Sequence, residues 1–209
     1  MRLASIIAAL CVCMPAARSA GATTGLSVHL RVMMDRSITL QPNEMIAERE
    51  AAAIWQPYGV DLRWNDEKPA AALCLDVVVG HVIAGPHGVD AASVMGRVTI
   101  VPGLEARGPI QISLDSIESV LEPLTAHPLH DYSVAVAVGR VVAHEVGHVL
   151  LGQPSYHDVG GLMRARFPSD DLGRLERSRF RLADSSLARL RTRIPELLEA
   201  HAEQSCAVR

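Results

Sequence analysis

The residues of this chain best able to do chemistry are His144, Glu145 and His148, in the run His-Glu-Val-Gly-His. On a helix, residues four apart stand one above the other on a single face, so both imidazoles can converge on one ion. Zinc suits the pair: it takes imidazole nitrogen at about 2.0–2.1 Å and, where catalytic, keeps one position open for water. Glu145, one step round the helix, is badly placed as a ligand and well placed to reach that water. A bound metal lowers the water's pKa, and the carboxylate can collect the proton and later pass it to a leaving amine. The bland alternative is a pair of core histidines bonded to backbone, with Glu145 at the surface. Against it, two histidines and a glutamate in an otherwise apolar helix are costly to bury unless they satisfy one another.

A metal site of this kind needs a third protein ligand, and His157 is the first candidate. The helix advances about 6 Å from His148 to Gly152. The five residues that follow span up to about 17 Å, enough to double back. Asp158 is its rival, and Asp170, Asp171 and Glu176 stay open because some zinc hydrolases take a carboxylate from a later helix. His81, His87, His127 and His130 have no spacing that makes a second site and read as surface or turn residues.

These side chains need a rigid support. From Val134 to Leu151 the chain is apolar apart from Arg140, His144, Glu145 and His148. Bounded by Asp131/Ser133 and by Gly152, it predicts a buried, capped helix that lacks the length and continuity of a membrane span. Ahead of it, Leu26 to Met33 and Val60 to Trp64 alternate as strands. Asn43 caps a helix carrying Ala47, Ala51, Ile54 and Trp55 on one stripe. Leu73 to Ile83 predicts a buried central strand, Arg97 to Val101 a short one closed by Pro102-Gly103, and Ile110 to Leu114 a half-exposed one. The loop from Gln153 to Phe167 leads to a helical C-terminal third. Leu187, Leu190, Ile194, Leu197 and Leu198 form its stripe, with a kink expected at Pro195.

Composition narrows the partners. A net charge of −3, 3% aromatic residues and no long basic run disfavour a nucleic-acid partner. The arginines between Arg164 and Arg193 read as a solvated helical face. At the start, Arg2, the apolar run Leu3 to Met14, Pro15 and the small residues to Ala22 read as a signal peptide over 1–22. The mature chain is then expected to be secreted or periplasmic, with no stable membrane insertion. Cys11 and Cys13 leave with the signal, and Cys74 and Cys206 can pair in an oxidising compartment.

His144-Glu145-x-x-His148, the helix-ending Gly152, His157 and then Gly161-Leu162-Met163 resemble the metzincin arrangement of zinc peptidases. The stretch through Met163-Arg164-Ala165-Arg166 is also similar to uncharacterised secreted bacterial proteins of zincin type. The resemblance covers Arg140 to Met163 in detail and the rest only architecturally. It departs in the loop: Gly152 falls one position later than the clan's pattern places it, and His157 three later. What it implies is Zn2+ on His144, His148 and His157, catalysis by Glu145, and a methionine turn at Met163 beneath the metal. It also implies an α+β, zincin-like fold: a small twisted mixed sheet, a backing helix, a buried active-site helix and a helical C-terminal lobe. The expected organisation is one catalytic domain over 23–209, with lobes at about 23–152 and 153–209. By the same analogy a peptide or protein substrate pairs with an edge strand ahead of the helix, Ile110 to Leu114, unless that segment is an ordinary internal strand, and Arg164 or Arg166 steadies a developing oxyanion unless both are merely solvated.

The expected function is therefore a secreted zinc metallopeptidase. Its competitors are a non-catalytic binding protein of zincin shape and a zinc hydrolase acting on a non-peptide amide. Substrate preference and oligomeric state are not written in the sequence.

Overall fold

The computed structural model describes residues 25–38, 43–65, 73–83, 94–100, 108–124, 129–153, 156–174 and 176–201. The expected signal peptide, Cys206, His87, His127 and Pro102-Gly103 lie outside them.

Alternating apolar residues build a five-stranded mixed sheet. Its strands are β1 (Leu26–Met34), β2 (Val60–Trp64), β3 (Leu73–Gly80), β4 (Gly96–Arg97) and β5 (Ile110–Ser113), in the order β2-β1-β3-β5-β4. β1 pairs in parallel with β2 and β3, β3 pairs in parallel with β5, and only β4 runs antiparallel. β3 is central, as its valine-rich run predicts, but it is buried on one face only. Leu73, Leu75, Val77 and Val79 face the core, while Cys74 is exposed. Cys74 is disulfide-bonded.

Two helices cover the core face. α1 (Glu44–Trp55) carries Ala47, Ala51, Ile54 and Trp55 inward as expected, but Asn43 does not cap it: its side chain makes no cap hydrogen bond. After β5, the sheet passes directly into α2 (Leu114–Leu121), capped by Ser113 through the Ser116 amide. α3 (His130–Leu151) begins a turn earlier than the apolar run suggests. At 22 residues it is long and apolar enough to cross a bilayer, so length does not separate it from a membrane span as expected. What makes it a core helix is its packing: its most apolar stretch is wholly buried inside the protein. Gly139 lets α1 come close, since a Cβ there would collide with the Ala47 carbonyl.

α3 stops at Gly152 in a left-handed turn, where the Gly152 amide bonds the Val149 carbonyl and the Gln153 amide bonds the His148 carbonyl. The chain beyond carries a short helix, α4 (Ser169–Gly173), and then a long one, α5 (Asp184–His201), which runs through Pro195. The arginines of this third are not simply a solvated face. Arg164 is largely buried against Asp171, Arg177 reaches Glu50 on α1, and Arg189 donates to the Leu151 carbonyl.

Candidate metal centre

α3 presents His144 and His148 on one buried face, and the loop after Gly152 returns His157 to them. Their ring nitrogens lie within 4.8 Å of one another, and among the described residues no other group of three or more His, Cys, Asp or Glu side chains gathers in this way. The two helical histidines are held by backbone carbonyls. His144 Nδ1 lies 2.7 Å from the Leu162 carbonyl and His148 Nδ1 lies 2.9 Å from the Gln153 carbonyl. A carbonyl only accepts, so each Nδ1 carries the proton and each Nε2 presents a lone pair. Those two Nε2 atoms face each other at 3.0 Å.

Two acceptors pointed at each other repel, and a cation between them turns the repulsion into ligation. Two bonds of tetrahedral zinc to imidazole would set the nitrogens about 3.3 Å apart. The donor set therefore fits that ion, with His157 closing a third side. Burial keeps the rings neutral, as ligands must be: His144 is pushed down to about 3, by desolvation first and then by His148, and His148 to about 4, mainly by desolvation. His157, which is exposed, is also lowered by its partial burial.

Glu145 is buried, and desolvation alone raises its carboxyl to about 8. It is not at the surface. Above it passes β4: a Cβ on Gly96 would come 2.6 Å from Glu145 Oε1 and 2.8 Å from Val141 Cγ1, so only glycine lets the edge strand lie this close. Beneath the helix, fully buried Met163 packs against Gly147, where any Cβ would strike its sulfur, with Trp55 alongside. The turn that delivers Met163 has Gly161 at φ 76°, pressed on the Arg181 carbonyl, and the Leu162 amide bonds that same carbonyl at 2.8 Å.

The rival carboxylates are engaged elsewhere. Asp158 accepts from Tyr156, Ser185 and Ser186, Asp171 pairs with Arg164 and Arg179, Asp170 pairs with Arg174, and Glu176 accepts from Ser178. Arg164 sits over the Phe167 ring at 4.8 Å, and Phe167 meets His144 edge-on at 5.3 Å. Surface solvation is thus wrong for Arg164. Of the two readings of Ile110 to Leu114, docking edge and ordinary internal strand, the second holds: β5 is paired on both sides, and among the described residues the outer strand on that side is β4.

Sequence reasoning missed Trp55, Phe167 and Gly96 as neighbours of the site. Gly147 within the motif was the one available hint that something bulky lies beneath. His81 forms a chain of its own, with Nε2 3.1 Å from Ser37 Oγ and Nδ1 2.9 Å from Asp115. It has the order of a nucleophilic triad, but the Ser37 hydroxyl is bound to Asp35 at 2.5 Å, so the exposed chain ties strand ends together. Compared with known proteins, the chain matches no family model and no curated protein.

Proposed function

We propose that the protein is an exported zinc metallopeptidase of zincin type, with His144, His148 and His157 as ligands and Glu145 as general base. The observation that carries the reading is the pair of Nε2 atoms facing each other at 3.0 Å, each on a ring whose Nδ1 lies against a backbone carbonyl. Carbonyls bonded to the far nitrogen in this way are what orient metal-bound imidazoles. When bound, zinc supplies Lewis acidity that polarises a scissile carbonyl and acidifies water.

The chain's own residues supply the rest. Glu145 sits beside the ligands in a dry setting, where proton affinity is high. It takes a proton from the attacking water and gives it to the departing amine nitrogen. With a dication held by the three histidines, the Glu145 carboxyl would fall back toward the range of a working base. Among the described residues β4 is the outer strand on this side, and its Gly96 lies against Glu145, so a peptide backbone laid along it would run past the base. Peptide is favoured over other amides by the motif's resemblance to zinc peptidases.

The test is Glu145→Gln, which keeps shape and removes the base. Hydrolysis of a mixed peptide library should fall by about 10²–10⁴-fold, with zinc content unchanged. Undiminished hydrolysis would remove Glu145 from the mechanism. A native protein that binds zinc and cleaves nothing would favour the binding-protein alternative.

A further inference from the structure

His144 and His148 each have a carbonyl behind the ring, whereas no hydrogen bond to the His157 ring is found among the described residues. Among the described residues its ring neighbours are the other two imidazoles, stacked on His144 at 5.5 Å and edge-on to His148 at 5.1 Å. Among the described residues, what holds it is the chain beside it. The next residue, Asp158, is tied down on every side. Its carboxylate accepts the Tyr156 hydroxyl at 2.8 Å, Ser185 at 2.9 Å and Ser186 at 2.5 Å. Its amide donates to the Met163 carbonyl at 2.8 Å, and its backbone bridges to Arg164.

From this geometry we infer that Asp158 is the positioning residue of the third ligand, clamping the His157 loop between the Met163 turn and the first turn of α5. The inference rests on the metal-centre reading above. It gives the C-terminal helix a role, because Ser185 and Ser186 belong to α5 and docking of that helix sets where His157 stands. A carboxylate suits the post better than an amide, because only it can accept three hydroxyls without turning a donor toward them. Loss of an outer anchor of this kind typically weakens metal binding 10–100-fold.

The experiment uses the full mature protein and zinc alone, with affinity measured by competition with a chromophoric chelator. Asp158→Asn should weaken zinc by about tenfold or more. Cobalt-substituted Asp158→Asn should show shifted d–d bands, the sign of an altered ligand field. Ser185→Ala with Ser186→Ala, which leaves the loop intact, should act in the same direction and guards against a variant that fails to fold. In a His157→Ala background, Asp158→Asn should cause no further loss. Unchanged affinity in both variants overturns the inference, as does an equal loss in the His157→Ala background. A native protein that binds no zinc takes down the metal centre, and this inference with it.

Discussion

At the residue scale the site is a contest between burial and charge. The spacing of His144, Glu145 and His148 was legible in the sequence because a helix has one period. What fixes each ring was not, since the Leu162 and Gln153 carbonyls are main-chain atoms that any residue carries. Burial has a consequence for the metal-free protein. His144 and His148 titrate at about 3 and 4 when folded, against 6.5 ordinarily, and Glu145 at about 8 against 4.5. Between about pH 4.5 and 6.5 the unfolded chain holds two histidine protons that the folded one refuses. The folded chain holds one glutamate proton that the unfolded one lacks. For these three groups the net difference of one proton makes stability rise with pH, by about 1.4 kcal/mol per unit, and the lowered His157 acts in the same direction. Between about 6.5 and 8 only Glu145 of these three differs, and it makes stability fall at about the same slope, with His81, raised by its bond to Asp115, acting in the same direction. Urea unfolding of chelator-treated protein should therefore peak near pH 6.5. Glu145→Gln should remove the buried group's share of the fall above the peak, and a native profile flat from about pH 5 to 8 would show that burial does not hold these groups in their neutral forms.

At the element scale α3 is held by a polar hub that its apolar run conceals. Arg140 is fully buried, with Nε 2.9 Å from Glu50 on α1, Nη1 bonding the Asp171 and Leu172 carbonyls, and Nη2 bonding the Glu176 carbonyl. Its guanidinium also lies 4.3 Å from the Phe180 ring centre. One side chain thus joins α1, α3 and α4. Removing it leaves a buried carboxylate half-paired, with Arg177 alone, and three carbonyls without a donor. Arg140→Ala should cost about 3–5 kcal/mol in chemical denaturation. A loss under about 1 kcal/mol would show that water replaces the hub. Periodicity found β1, β2 and α1 because each has one buried face, Leu26, Val28 and Leu30 on β1 for example, whereas the strand expected over Arg97 to Val101 is, among the described residues, only Gly96–Arg97. It could not say which strand is the edge. β5 alternates like an edge strand, yet β4, two residues long in the described chain, pairs outside it.

At the scale of the whole molecule, one apolar core runs from the sheet through α3 to α5, including Leu172, Phe180, Leu190 and Leu197. The C-terminal third therefore supports the site as well as covering it: Leu162 hangs on Arg181, Asp158 on Ser185 and Ser186. That dependence is long-range and polar, so no local pattern announced it, and the arginines that carry part of it looked like surface. The central claim concerns three histidines and one ion, and its most direct test is the zinc content of the purified mature protein beside His157→Ala. About one zinc per native chain, sharply reduced in the variant, is the predicted result. A native protein that takes up no zinc on incubation with the ion would mean that the facing imidazoles are structural. Zinc fully retained by His157→Ala would give the third position to another group.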